Sequence, residues 1–381
     1  MNAYFLEPVD VLFLRGNRLF GDPGSYGESL VPPWPSVAAG ALRTAILVRD
    51  GVALDAFARG AVNHPTLGTP DAPGEFRITG FHLAWHGETG KGPLERLYPL
   101  PADLVATREN EGEGGGEARI ALHPLRPRDL EPGIECSAVT TRLPVLAQPR
   151  RAKPATGLWL TEEGFRRWLR GELPDVHHHL VSTNRLWLYD ERIGIGLDRT
   201  RRRADEGKLF TMQAVAMEPG VGFVATVAGD ALDEGSLVRL GGDGRGAVVH
   251  RTECADPMAD LDVLAAEGRC RLVLTTPGLF PGGWRPPGMA EDGSFELAGV
   301  RGRIRCAAVP RAEVVSGWDL ARWRPKPAER TAPAGSVYWI EDLEATPEQL
   351  RKLVAHGLWS ESGYDAQRRA EGFNRFTLAT Y

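Results

Sequence analysis

The sequence predicts an α+β fold in two units, and three observations carry that prediction. Runs that alternate like strands recur along the whole chain, helix-like stripes are few, and the opening reads β-α-β. At ~100–200 residues per domain, a chain of 381 residues fits two units. Hydrophobic residues are 42% and charged residues 25% of the total. That is the balance of a globular chain, so collagen, coiled coil and wholesale disorder are excluded. No uninterrupted apolar stretch approaches the ~18–20 residues needed to cross a bilayer. Met1-Asn2-Ala3 enters the first strand without a basic head or a cleavage site, so the expected address is cytoplasmic, away from membranes.

The first strand has Tyr4, Leu6, Val9, Val11 and Phe13 among its apolar positions and ends at the polar turn Arg15-Gly16-Asn17-Arg18. Ser36, after Pro35, reads as an N-cap. Val37, Ala41, Leu42, Ala45 and Ile46 then form the apolar stripe of a helix reaching Val48. Residues 76–85 are the next strand. Residues 109–117 (ENEGEGGGE) are acidic and glycine-rich, cannot bury apolar surface, and are expected to form a mobile loop. From Thr161 a short helix places Phe165, Trp168 and Leu169 at i, i+3 and i+4, with Glu162 and Glu163 in the first turn where the dipole favours anions. It ends by Pro174.

Strand-like runs continue at 210–216, 221–227, 237–240, 271–276 and 336–340, with breaks rich in Gly and Pro at 241–246, 281–288 and 325–335. Thr346-Pro347-Glu348-Gln349 is a helix start with Thr as N-cap, Pro at N1 and Gln at N3, a capping box. Leu350, Leu353 and Val354 face the core, and Gly357 is the expected stop. The units are placed at 1–205 and 206–381.

Catalytic signatures are sparse. The sequence has no Gly-x-Ser-x-Gly elbow, no Walker A loop and no His-Glu-x-x-His. Cys136, Cys254, Cys270 and Cys306 lie far apart without a Cys-x-x-Cys pair, which argues against a zinc ribbon and a disulfide scaffold. His177-His178-His179 cannot converge on one tetrahedral ion from three consecutive positions, so no metal and no cofactor is expected. Gly241-Gly242-Asp243-Gly244-Arg245-Gly246 joins two strand-like runs instead of opening a helix, which removes the dinucleotide reading. The enzyme alternative is a metal-independent ribonuclease using a histidine, such as His64 or His82, as general base.

Basic segments are more informative. The chain has five Lys against 40 Arg within a net charge of −5, so any polyanion contact must be local. Residues 142–153 hold Arg142, Arg150, Arg151 and Lys153 with no acid, kept extended by prolines 144 and 149, and could form a protruding arm. Residues 192–208 carry six positive charges against three acids, and Gly194, Gly196 and Gly207 allow close backbone approach to a ligand. Arg301, Arg303 and Arg305 share one face if they lie on a strand. Phe210, Trp284 and Trp318 are candidates for base stacking. Each patch alone reads as solvated surface. Three in one chain favour an RNA-binding protein.

Several blocks, in order, resemble one family. Residues 8–20 (PVDVLFLRGNRLF), Pro35-Ser36 with Gly40-Ala41-Leu42-Arg43, residues 98–104 (YPLPADL) and residues 191–198 (ERIGIGLD) continuing to Leu209-Phe210 are similar to the RAMP-superfamily subunit numbered three of type III-B CRISPR effector (Cmr) complexes. Residues 240–245, Gly283-Trp284, residues 317–321 (GWDLA), Pro325-Lys326-Pro327 and residues 333–338 (PAGSVY) extend the likeness. One departure stands out. The family commonly closes with a glycine-rich loop, whereas Gly372-Phe373-Asn374-Arg375 has a single glycine.

The resemblance implies two ferredoxin-like (RRM-related) domains with long insertions and a thumb hairpin, and a noncatalytic role. It implies binding of the crRNA 5′ handle, docking on the large polymerase-type Cas subunit and on the first backbone RAMP subunit of the Cmr filament, and one copy per effector complex. The matching positions, expected to touch RNA, are Arg15, Arg18, Ser36, Gly40, Arg43, Arg192, Arg202, Gly241, Gly242, Gly244 and Arg245. Arg150, Arg151 and Lys153 belong to the expected thumb.

Overall fold

The computed structural model describes residues 2–16, 26–109, 119–131, 133, 136, 139–148, 152–198 and 200–381, a strand-rich α+β chain. β1 (Asn2–Pro8) buries Tyr4, Phe5 and Leu6. The short β2 (Tyr26–Gly27) precedes α1 (Pro35–Arg49). Ser36 is not the cap. Pro35 takes N1, where its fixed φ suits the helix and its missing N–H is not needed, and extended Trp34 becomes the N-cap without a side-chain acceptor. α2 (Leu54–Ala58), β3 (Arg77–Trp85) and β4 (Glu95–Pro99) follow.

β5 (Leu104–Glu109), β6 (Arg119–Asp129), β7 (Arg142–Leu146) and β8 (Lys153–Pro154) form a four-stranded antiparallel insertion in the order β7-β6-β5-β8. Of the acidic loop 109–117 read as mobile, residue 109 ends β5 and residues 110–117 lie outside the described residues. β9 (Leu158–Thr161) leads into α3 (Glu162–Leu169), where the Thr161 side chain accepts from Gly164 N and Phe165, Trp168 and Leu169 are buried, as the periodicity predicts. α4 (Val176–His179) and β10 (Leu180–Ser182) come next. The long β11 (Trp187–Asp198) and β12 (Arg203–Met217) form a hairpin, and β13 (Val221–Ala228), β14 (Leu237–Arg239) and β15 (Gly246–Thr252) close the first sheet.

The second sheet comprises β16 (Cys270–Leu274), β17 (Ser294–Leu297), β18 (Val300–Ala308), β23 (Val337–Glu344) and β24 (Phe376–Ala379). Around it lie α5 (Leu261–Glu267), the small strands β19 (Glu313–Val315), β20 (Trp318–Asp319), β21 (Arg324–Pro325) and β22 (Glu329–Thr331), and the helices α6 (Pro347–His356) and α7 (Ala366–Ala370). The capping box at Thr346 and Gln349 is formed in both directions, and Gly357 ends α6.

The sheets run β10-β9-β4-β3-β13-β1-β15-β14 and β17-β18-β23-β16-β24. Their centres share one connectivity. In each, the first strand (β1, β16) lies between the third and fourth (β13 and β15; β23 and β24), and the second (β3, β18) pairs outside the third, always antiparallel. α1 fills the first connection of one set and α6 the last connection of the other. Residues 221–252, which the 205/206 line assigns to the second unit, supply three strands of the first sheet.

A shared core joins the sheets: Tyr98, Leu160, Phe165 and Trp168 pack with Val273, Cys306, Val337 and Trp339. Trp34 at the start of α1 packs with Leu279, Val315, Trp359 and Phe373. The Gly372–Arg375 turn serves this seam. The buried Asn374 amide accepts from Leu279 N at 2.6 Å and donates to Leu358 O at 2.7 Å, and Arg375 Nε donates to Thr79 O at 3.1 Å. Among the described residues no helix is long and apolar enough to cross a membrane.

Candidate RNA interface

The positions singled out in the sequence fall into three places. The first joins residues 10–15 to the turn between β14 and β15. Leu12 exchanges both backbone hydrogen bonds with Val215 of β12 at 2.9 Å, and Arg15 bridges Ser29. Ser29 Oγ in turn donates to Gln213 O at 2.6 Å, so this segment is stitched to the base of the β11–β12 hairpin. The turn closes on the same segment. Gly242 N donates to Phe13 O at 2.8 Å, and Arg15 faces Asp243 at 3.7 Å. Arg245 pairs with Asp10 at 2.7 Å and lies 4.9 Å from the Phe13 ring centroid.

Arg15, Gly241, Gly242, Gly244 and Arg245 are therefore brought together. Their roles differ. Arg245 is committed to Asp10 and Phe13 and holds the turn. Arg15 is half exposed and faces Asp243 in a long surface pair, the kind worth about 0–1 kcal/mol.

The second place is the hairpin itself. Asp198 shapes its tip by accepting from Thr200 N and Arg201 N, which holds its carboxyl below the usual range, and Arg202 sits in a left-handed conformation with φ +53°. The Arg202 and Arg203 side chains are exposed and have no hydrogen bond or ion pair among the described residues. Arg192 is different, because Nε and Nη2 both reach Asp190 at 2.9 Å.

The glycine expectation fails here. The Phe210 ring lies where a Cβ on Gly194 would stand, 2.3 Å away, and the Lys208 stem covers Gly196, so these glycines make room for side chains of β12 and not for a ligand. The opposite face bares Ile193, Ile195, Leu197 and Leu209, with Ile193 75% exposed. The hairpin thus offers an apolar face below an arginine tip.

The third place is α1. Ser36, Gly40 and Arg43 stand at i, i+4 and i+7 on one face, and the space beside Gly40 is open. The Arg43 guanidinium lies over Phe76 at 5.6 Å and has no carboxylate partner among the described residues; burial lowers its pKa, partly offset by the field of Glu371. Lys153 stands apart on the exposed edge strand β8, whose backbone pairs at that position with Arg108 of β5. Arg18, Arg150 and Arg151 lie outside the described residues.

Other candidates are absorbed by structure. Arg301 reaches Glu296 at 3.2 Å, Arg303 reaches Asp292 at 3.8 Å and Arg305 reaches Asp342 at 2.8 Å, while register shifts interrupt β18, so the expected basic face is neutralised. Trp284 packs against the second core, whereas Trp318 is exposed. His64 is buried in a turn, with Nε2 3.0 Å from Asp50 and Nδ1 accepting from Thr66 N and Leu67 N at 3.2 Å. His82 is buried against Tyr98, and burial with the Arg96 charge pulls its pKa down to about 4. Both rings are buried, His64 at 4% and His82 at 6% exposure. Among the described residues no group of three or more His, Cys, Asp or Glu could hold a metal ion.

Sequence reasoning counted Arg203 within the basic run 192–208 without separating it from its neighbours, and passed over Arg77, Arg369 and Trp323. Their significance lies in being unpaired or exposed, which depends on distant neighbours.

A family model described as CRISPR-associated protein (Cas_Cmr3) matches residues 4–372. Among solved structures, the chain is similar to one in the cryo-EM structure of the type III-B Cmr-beta bound to cognate target RNA and AMPPnP, at 16% identity, with 99% of this chain and 98% of that chain covered and a TM-score of 0.49. A chain of the type III-B Cmr-beta bound to cognate target RNA matches at 15% identity, 98% and 96% coverage and a TM-score of 0.49. One from the apo state matches at 11% identity, 66% and 97% coverage and a TM-score of 0.26. No curated protein matches.

Proposed function

This chain belongs to the Cas_Cmr3 family of CRISPR-associated proteins, and from that premise we propose that it is the noncatalytic, RNA-binding subunit that caps the crRNA 5′ handle in a type III-B effector. In this reading it also docks on the large polymerase-type subunit and on the first backbone RAMP subunit, one copy per effector. The two four-strand sets of common connectivity, each with one crossover helix, act as a pair of ferredoxin-like units, with residues 2–252 in the first and 253–381 in the second.

The observation that carries the reading is the hairpin tip, where Arg202 and Arg203 stand in solvent without a protein partner among the described residues. Phosphates are held there and at Arg15, while the apolar hairpin face separates bases. Ser36, Gly40 and Arg43 form a neighbouring contact. Gly241, Gly242 and Gly244 shape the turn, and Arg192, Arg245 and Lys153, with Arg18, Arg150 and Arg151, remain proposed contacts on the strength of the family likeness.

The test co-purifies the chain with its polymerase-type partner and titrates labelled handle RNA against a scrambled control at two salt concentrations, with intact and cleaved RNA read on one gel. Tight, salt-sensitive, handle-selective binding without cleavage is the expected result. Product bands would replace this reading with an endoribonuclease, and indifference to the handle would leave a protein scaffold.

A further inference from the structure

The loop between β19 and β22 holds two tryptophans in solvent, Trp318 at 48% and Trp323 at 74% exposure. Their rings meet edge to face, 5.9 Å between centroids. Packing does not account for this arrangement. Trp323 has φ +53°, a left-handed backbone that strains a bulky L residue, and it buries little in return.

Ion pairs pin the loop across the seam. Arg322 pairs with Asp71 of the first unit and, at 2.8 Å, with Asp319; Lys326 pairs with Glu371. Gln367 of α7 donates to Pro70 O at 2.5 Å, next to Asp71, so α7 belongs to the same surface. These contacts also settle the charge. Asp71 and Asp319 share Arg322, and Glu371 has Lys326 and Arg368, whereas Arg324, Arg77 and Arg369 have no carboxylate partner among the described residues. Arg369 lies 4.8 Å from the Tyr364 ring centroid. Burial lowers the Arg375 pKa, opposed by the field of Asp256 and helped by the charges of Arg77 and Arg369, which places Arg77 and Arg369 in one neighbourhood with Arg375.

Exposed indoles beside unpaired arginines supply what a single strand needs, rings for bases and cations for phosphates. A protein partner would use the indoles but would have to desolvate three extra cations, and a duplex keeps its base faces stacked away. We propose that Trp318 and Trp323 form a stacking platform for unpaired bases of a single-stranded RNA whose phosphates run over Arg77, Arg324 and Arg369. The proposal rests on the reading of the chain as an RNA-binding subunit and adds a contact sharing no residue with the β11–β12 hairpin.

The test uses the full chain and a fluorescein-labelled single-stranded RNA carrying the handle, with the same RNA annealed to its complement as control. Trp318→Ala/Trp323→Ala should bind the single strand about tenfold more weakly, with duplex binding and melting temperature unchanged. Arg77→Ala/Arg369→Ala should shallow the dependence of log affinity on log salt by about 0.7 per phosphate that is no longer neutralised. If the tryptophan pair binds RNA like the wild type while Arg202→Ala/Arg203→Ala is weakened, the platform is overturned and the functional reading stands. The platform is equally overturned if the tryptophan pair keeps its RNA affinity but loses the polymerase-type subunit on co-purification, which would make the loop a protein-docking element. A wild-type chain that binds neither RNA overturns the functional reading, and the platform falls with it.

Discussion

Arg271 of β16 and Asp103, just before β5, form a buried ion pair, Nη1 to Oδ2 at 2.5 Å, with side chains 10% and 3% exposed. Trp168 completes it. Its Nε1 donates to Asp103 Oδ1 at 3.0 Å, its carbonyl accepts from Arg271 Nη2 at 2.9 Å, and its ring lies 4.1 Å below the guanidinium. Burial raises the Asp103 pKa and Arg271 opposes that shift, so removing the guanidinium leaves a carboxylate that nothing neutralises. Arg271→Met should therefore cost about 3–5 kcal/mol, and Arg271→Met/Asp103→Leu should recover part of the loss. The urea unfolding midpoint measures both. An unchanged midpoint in the single variant would show that the shared apolar core alone holds the seam.

Local signals in the sequence survived into the structure, and nonlocal ones did not. The capping box at Thr346 and Gln349 and the short helix from Thr161 with Phe165, Trp168 and Leu169 on its buried face depend on residues within one or two turns, so they were legible. Which strands pair was not, because β13 joins β1 across more than 200 residues, and alternation carries no record of its partner. The arginine patches illustrate the same limit. Arg301, Arg303 and Arg305 look as basic in sequence as Arg202 and Arg203, and only the fold sets acids from β17, β23 and the intervening turns beside the first three. Gly194 and Gly196 promised open backbone, but the register of β12 delivers Phe210 and Lys208 onto them. At Ser36 a local rule misled, since Pro35 competes for the helix start and wins N1.

His82 should make stability depend on pH between about 4 and 6.5. Its pKa falls from 6.5 to about 4 because burial, and then the Arg96 charge, penalise the imidazolium. The unfolded chain takes up the proton near 6.5 and the folded chain only near 4, so the unfolded state binds more protons within the window. Stability is therefore full above 6.5 and declines as pH falls toward 4, by on the order of 3 kcal/mol. His82→Phe should remove this part of the slope in melts recorded across the window. An identical slope in the variant would assign the dependence to other groups.

The turn glycines should separate into one structural position and one tolerant position. Gly241 has φ +84°, and a Cβ there would stand 2.7 Å from Phe13 O, the carbonyl that Gly242 N uses. Gly244 has φ +66° with nothing within 4 Å. Gly244→Ala should then cost about 1 kcal/mol of left-handed strain alone. Gly241→Ala should cost more, because the strained backbone and the blocked carbonyl act together. Thermal melts of the two variants test the ranking, and equal losses would refute it.

Within the hairpin, pairing predicts which arginine matters to RNA. Arg192 already shares two contacts at 2.9 Å with Asp190, so transferring it to a phosphate gives up an existing partner. Arg202 and Arg203 give up only water, since no described residue engages their side chains. Arg202→Ala/Arg203→Ala should weaken handle RNA binding strongly and reduce the magnitude of the salt slope by about 0.7 per phosphate that is no longer neutralised. Arg192→Ala should change affinity by a few-fold and leave the slope near its wild-type value. Neither variant should shift the melting temperature, because exposed tip residues contribute little to folding. Titrations at several salt concentrations read affinity and slope together. A larger slope change in Arg192→Ala than in the tip variant would move the phosphate path from the end of the hairpin to its shaft.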